Sequence, residues 1–278
     1  MKKLLKILFS FIILISILLS IIYFENNNRL RIYFFNIGQG DSIFIRTPSN
    51  ENILIDGGPD NTLITKLGST LPFYDQTIDL IILTHPHDDH LFGLINVLER
   101  YNVKKILYYP TNHETRAYTN FKEIISEKNI PTVEALAGQI FNFKDVKIKV
   151  IYPFPDLEMS NLNNYSVVTR LSYQEIDFFF TGDLEKEGEE IVLENYEYLE
   201  SEVLKAGHHG SKTSSTLEFV KFLNPDIVAI QVGVDNKFNH PSESVIARFN
   251  NLDIEIYRND LMGDICFEVF DNILSLCE

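Results

Sequence analysis

Positive charge is in short supply in this sequence: 24 Lys and Arg stand against 39 Asp and Glu, a formal net charge of −15 at pH 7. That imbalance argues against a protein that coats nucleic acid, which needs a basic surface. It does not exclude a nuclease, because a bound metal ion inverts the field locally. A Pro-, Gly- or Ser-rich linker, a low-complexity tract and an internal repeat are also missing, so nothing in the composition divides the body of the chain. Cysteine is limited to Cys266 and Cys277, in GDICFEVFDNILSLCE, which reads as two short strands around Asp271-Asn272. If that pair is a two-residue hairpin turn, Phe270 faces Ile273 and Cys266 faces Cys277, within reach of a disulfide. Two buried thiols near a chain end are the other reading.

The N-terminus is unlike the rest. Met1-Lys2-Lys3-Leu4-Leu5-Lys6 leads into an apolar run from Ile7 to Phe24 interrupted only by serines, about the 18 to 20 residues that a helix needs to cross a bilayer. A cleaved signal segment would show a shorter apolar core and a small-residue site, and Ile21-Ile22-Tyr23-Phe24-Glu25 has none. Residues 1–25 are therefore expected to be an uncleaved anchor. The lysines place its start in the cytoplasm and the body outside the cell, although Arg29 and Arg31 just beyond the run weigh against that orientation.

Residues 26–278 are expected to form one domain, with hydrophobic content of 45% over the chain sufficient for a sizeable core. LRIYFFNIGQGDSIFIRTPSNENILIDGG reads as three strands with short turns, and TIDLIILT as a strand covered on both faces. Leu91, Leu94, Ile95 and Leu98 mark one face of a helix, and strand and helix signals alternate from there on. The fold class is α/β.

Chemistry gathers at strand ends. In THPHDDH, His85 and His87 follow the TIDLIILT strand and Asp89-His90 open the next helix. Imidazole and carboxylate donors at this spacing suit zinc, manganese or iron, and open α/β sheets place ligands at such strand ends. Asp88 is expected to face solvent. FFFTGDL delivers Asp183 at another strand end, and LKAGHHGSKTSS delivers His208, His209, Ser211 and Lys212. FNHPSES sets His240 and Ser242 before a helix, with Pro241 suited to its first turn.

THPHDDH, TGD and GHHGSKTSS in this order resemble the metallo-β-lactamase fold. NIGQGDS, ILIDGG, NNYSVVTRL and NHPS narrow the resemblance to the extracellular domain of ComEC-type competence proteins, over about Leu30 to the C-terminus. The resemblance implies a four-layered αββα sandwich and a hydrolase, often of phosphodiesters, with one or two divalent metal ions, zinc or manganese. Carried over by motif, His85 and His87 would hold one ion and Asp89 and His90 a second. Asp183 would bridge them, and His208, the first histidine after its strand, would complete the second site. One feature departs from the pattern. Many two-metal members have a further histidine between the first motif and the bridging aspartate. The only histidine in that interval is His113, in a different context, and the matching region reads Asn163-Asn164-Tyr165-Ser166. The first ion would then lack a strong ligand, leaving occupancy single, weak, or completed by water and substrate. Ser166 or Asn164 could contribute an oxygen, though neither substitutes well for an imidazole.

Three residues are assigned catalytic roles on this basis. Asp89 would orient the attacking water or accept its proton, Lys212 would offset charge developing on the phosphoryl oxygens, and His240 would protonate the leaving oxygen or grip phosphate. The expected function is a phosphodiesterase or nuclease of the DNA-uptake type, membrane-attached and facing outward. Hydrolysis of cell-wall or lipid phosphoesters, or a metal-binding accessory module without turnover, are the alternatives.

Overall fold

The structure is a computed structural model that describes the backbone of residues 2–27 and 29–277, and the side chains of residues 3, 6, 8–18 and 29–277. Its first element is a 26-residue helix, Lys2–Asn27. The expected membrane anchor over residues 1–25 falls on this helix, and many of its side chains lie outside the described residues. Among the described residues no helix is long and apolar enough to cross a membrane.

Two mixed sheets follow. The first has eight strands in the order Ile273–Leu276, Ile265–Phe270, Leu30–Phe34, Ile43–Arg46, Asn52–Ile55, Leu80–Leu83, Ile106–Tyr108 and Thr132–Glu134. The second has seven, in the order Glu255–Arg258, Ile227–Ile230, Val203–Lys205, Ile176–Phe180, Val168–Tyr173, Val146–Tyr152 and Ile140–Phe143. Each sheet is antiparallel in one half and parallel in the other: Asn52–Ile55 onward in the first, and the four strands from Glu255–Arg258 to Ile176–Phe180 in the second. The inner strands of the parallel halves, such as Leu80–Leu83 and Ile227–Ile230, are short and apolar because both faces are covered, whereas the edge strands Thr132–Glu134 and Glu255–Arg258 are more polar and partly exposed.

Alternation within the strands builds three cores. Ile32, Phe34, Ile43, Ile45, Ile53 and Ile55 point from the first sheet onto Ile148, Val150, Leu171, Phe178 and Phe180 of the second. Their neighbours Phe44, Leu54, Ile81 and Leu83 point the other way, onto Leu63, Leu94, Leu98 and Phe121 of helices Thr62–Thr70, Asp88–Arg100 and Arg116–Glu127. Phe179, Leu204, Val228 and Ile230 do the same for the second sheet against Val192, Phe219, Val220 and Phe249. This is the αββα sandwich expected from the sequence. The C-terminal hairpin pairs Phe270 with Ile273, and Cys266 and Cys277 form a disulfide across it, with Cα atoms 5.3 Å apart.

One close approach fixes the site. Helix Asp88–Arg100 lies directly on the loop after strand Asn52–Ile55: Gly57 N donates to His90 O at 2.6 Å and Gly93 N to Gly58 O at 2.9 Å. A Cβ on Gly93 would sit 1.9 Å from Gly57 O, so only glycine permits this contact, and it brings Asp56 beside His90.

Candidate metal centre

The parallel halves of the two sheets run their strands toward a common edge, and five strand ends there deliver polar side chains. Asp56 follows Asn52–Ile55, His85 follows Leu80–Leu83, Asp183 follows Ile176–Phe180, His208 and His209 follow Val203–Lys205, and Gln231 follows Ile227–Ile230. The focus is Asp183 Oδ2. Four imidazole Nε2 atoms surround it: His90 at 3.3 Å, His209 at 3.5 Å, His208 at 3.7 Å and His85 at 3.9 Å. Asp89 Oδ2 lies 3.5 Å from His209 Nε2.

The other ring nitrogens are tied down. His90 Nδ1 is 2.8 Å from Asp56 Oδ2, and Asp56 also accepts from Thr84 N at 2.8 Å and Thr84 Oγ1 at 2.6 Å. His85 Nδ1 faces Thr84 Oγ1 at 3.1 Å and Ser166 Oγ at 3.4 Å. His209 Nδ1 donates to Gln231 O at 3.0 Å. Each of these rings is thus held by Nδ1 and turns Nε2 inward, the arrangement that orients metal-ligating histidines. The backbone helps, since His208 and His209 both adopt left-handed conformations, with φ of 47° and 53°. For non-glycine residues such conformations cost of order 1–2 kcal/mol each.

Burial and charge compete here. Burial raises the pKa of Asp183, but the rings of His209 and His90 outweigh it and hold the carboxylate well below its usual range. For His209, burial is likewise overcome by Asp183 and Asp41, which push the ring up to about 10. His90 is raised well above its usual value, against burial, by Asp183 and Asp56. His85, buried and beside His90, is driven well below its usual value and stays neutral. A carboxylate field that holds protons on two imidazoles is also a field that would hold a cation in their place.

The residues fit a metal. His90 Nε2, His209 Nε2 and Asp183 Oδ1 are buried without a hydrogen-bond partner, a costly condition unless another group engages them. Their ligand atoms cluster within 4.8 Å in the sets His85–His90–Asp183, Asp89–His90–His209 and Asp41–Asp183–His209.

With this geometry in place the comparisons decide the family: the model of the metallo-beta-lactamase superfamily matches residues 36–233. The chain belongs to the metallo-beta-lactamase superfamily. It is 30% identical over 248 residues to ComE operon protein 3 of Bacillus subtilis (strain 168), covering 83% of this chain and 32% of that one. It is 27% identical over 242 residues to competence protein ComA of Neisseria gonorrhoeae, covering 86% and 32%. The chain thus spans about a third of the length of these relatives. Among solved structures it resembles the metallo-beta-lactamase fold protein YhfI from Bacillus subtilis, with a TM-score of 0.61 at 10% identity over 87% of this chain and 100% of that one. It also resembles CmlA, a diiron beta-hydroxylase from Streptomyces venezuelae, with a TM-score of 0.58 at 15% identity over 86% and 54%. At these identities the likeness is one of fold.

Other sequence-derived residues of this metallo-beta-lactamase domain fall as follows. His87, which precedes helix Asp88–Arg100, turns Nδ1 toward His85 Nε2 at 2.9 Å, and Asp88 is exposed. Of the two adjacent histidines, His209 is the buried one, while His208 is a quarter exposed and turns Nδ1 to Glu185 Oε1 at 3.1 Å. Lys212 is exposed, and among the described residues no hydrogen bond or ion pair joins it to the cluster. His240 packs edge-on to His208 and stacks on Phe238, with ring centroids 5.6 and 5.8 Å away. Burial, then the neighbouring His208 and His209, push its pKa down to about 4, so at neutral pH it offers a neutral ring. Pro241 precedes the cap Ser242 of helix Glu243–Asn251 rather than entering its first turn. The oxygens of Asn164 and Ser166 are already engaged, accepting from Glu185 N at 3.0 Å and Asp183 N at 3.1 Å. In that segment Asn163 Oδ1 is the one buried without a hydrogen bond.

Several partners escaped the sequence reading: Asp56, Thr84, Gln231 and Glu185, which hold the histidines, and the pair Lys205 and Asp41. Lys205, fully buried, donates to Gly182 O at 2.8 Å and pairs with Asp41, while its Nζ stands 3.8 Å from Asp183 Oδ1. Asp41 in turn faces His209 Nδ1 at 3.2 Å. NIGQGDS and LKAGHHG were legible as motifs, but a buried lysine looks like any other in one dimension.

Proposed function

We propose that the protein is a metal-dependent phosphodiesterase or nuclease of the competence type, acting outside the cell membrane. The observation that carries the reading is the convergence of His85, His90 and His209 on Asp183, with Asp89 beside His209 and buried ligand atoms left without hydrogen bonds. His85, His90 and Asp183 would hold one ion, and Asp89, His90 and His209 form the adjoining set. When bound, a divalent ion supplies Lewis-acid stabilisation of a phosphoryl oxygen and acidifies water. The chain's own residues do the rest. Asp56, Thr84 and Gln231 keep the imidazoles in one orientation, and Asp89 at the mouth orients the attacking water. His240, as a neutral ring, donates a hydrogen bond to a phosphate oxygen. Lys212 would act only after its loop bends toward the site.

Location belongs to the same proposal. The N-terminal lysines and the apolar run after them support a tethered, outward-facing domain, and the Cys266–Cys277 disulfide suits an oxidising compartment. The net charge of −15 favours short or single phosphodiesters over long duplexes.

The test uses the protein stripped of metal, with manganese or zinc added back, on a chromogenic phosphodiester and on single-stranded DNA. A His87→Ala Asp89→Ala variant serves as control. Metal-dependent turnover that the control lacks supports the reading. Metal uptake without turnover of either substrate would leave the accessory-module alternative in its place.

A further inference from the structure

Beside the metal centre lies a cleft of about 540 Å³ whose lining includes Tyr109, His113, Asp156, Glu158, Met159 and Tyr165. Its volume falls in the range of small-molecule sites. It adjoins the centre at two points. The His113 ring lies 6.1 Å from the His87 ring, and Tyr165 stands between Asn164 and Ser166, whose side chains bond Glu185 N and Asp183 N. The wall is built rather than incidental: Tyr165 Oη accepts from Met159 N at 2.9 Å and donates to Met159 O at 3.2 Å, fixing the loop that carries Asp156 and Glu158. Tyr109 and Tyr165 stack with centroids 5.9 Å apart and planes 20° from parallel.

Charge decides what such a cleft can take. Its lining carries two carboxylates and no lysine or arginine, so it repels a phosphate and leaves that group to the metal centre. What remains for the cleft is the uncharged substituent of the diester. Flat aromatic surface favours a flat group, since base–aromatic stacking is tolerant of sequence and strong. Carboxylate oxygens at the rim accept hydrogen bonds from an exocyclic amine, as cytosine, adenine and guanine present and thymine does not.

We propose that this cleft is a nucleobase subsite, seating an amine-bearing base next to the phosphate to be cleaved. The proposal rests on the phosphodiesterase reading above and deepens it. His113, on the cleft wall facing His87, lines the step from base to phosphate.

The experiment compares four diesters that release the same p-nitrophenolate: the 5′-(p-nitrophenyl phosphate) esters of deoxycytidine and thymidine, methyl p-nitrophenyl phosphate and p-nitrophenylphosphorylcholine. The deoxycytidine ester should exceed the methyl ester in kcat/KM. Tyr109→Ala should reduce that preference about tenfold, the size of one lost base–aromatic stack. Asp156→Asn with Glu158→Gln, exposed changes that leave the fold alone, should erase the preference for deoxycytidine over thymidine. Equal kcat/KM for the deoxycytidine and methyl esters would overturn the proposal while leaving the hydrolase reading standing. A preference for the choline ester would also overturn it, assigning the cleft to an ammonium group. If no ester is turned over, calorimetric binding of the dinucleotide d(CpC) to metal-loaded protein decides the subsite alone, and the hydrolase reading fails only if single-stranded DNA is not turned over either. Binding weakened about tenfold by Tyr109→Ala supports it, and binding that is absent or indifferent to Tyr109 refutes it.

Discussion

Lys205→Met is the sharpest test of how the centre is held together without metal. The ammonium is fully buried, pairs with Asp41, donates to Gly182 O at 2.8 Å and lies 3.8 Å from Asp183 Oδ1. Methionine preserves most of the volume, so the change is electrostatic. It leaves Asp41 and Asp183 buried with less positive charge beside them, and breaking a buried pair on one side costs about 3–5 kcal/mol. At roughly 2–4 °C per kcal/mol for a domain of this size, the melting temperature should fall by roughly 10 °C. The measurement is calorimetric, with chelator present so that bound metal does not contribute. Adding Asp41→Asn should recover much of the loss, because the orphaned carboxylate is then neutral. A fall of under about 2 °C, or losses that simply add in the double variant, would show that Lys205 does not balance Asp41.

Three further expectations follow from the same geometry. His209→Ala should reduce bound metal per chain far more than His208→Ala, because His209 is buried with Nδ1 fixed by Gln231 whereas His208 is partly exposed and turned to Glu185; equal losses by elemental analysis would reverse that ranking. Glu189 accepts from Ser215 N, Thr216 N and Thr216 Oγ1, yet burial pushes its pKa from 4.5 up to about 7. A carboxyl with a raised folded pKa binds its proton more tightly when folded, so stability should decline by about 3 kcal/mol as pH rises from 4.5 through 7. Glu189→Gln should flatten that slope in urea titrations, and an unchanged slope would mean that the three hydrogen bonds offset burial. Replacing Cys266 and Cys277 by serine opens a hairpin loop with a sequence separation of 11 and should cost about 3 kcal/mol, read as a lower urea midpoint; an unchanged midpoint would show that the strand ladder alone holds this edge.

What the sequence determined by itself is whatever local chemistry specifies. THPHDDH announces a strand end followed by a helix start, and His85, His87, Asp89 and His90 come together there because a single turn of backbone carries all four. The hairpin register around Asp271-Asn272 follows from counting outward, and with it the facing of Cys266 and Cys277. The strands Leu30–Phe34, Ile43–Arg46 and Asn52–Ile55 lie within the stretch that reads as three strands with short turns. Tertiary structure decided what depends on where distant segments meet. Asp41 and Lys205 are 164 positions apart, and their pairing exists because the two sheets bring their strand ends to one edge. His208 and His209 are chemically identical; two left-handed backbone conformations and the carbonyl of Gln231 bury one ring and leave the other beside Glu185. His113 stands in an unremarkable loop of the sequence, yet the fold sets its ring 6.1 Å from that of His87. Ring orientation, burial and the field of neighbouring carboxylates arise only from packing, because each is a sum over atoms that the chain separates and the fold assembles.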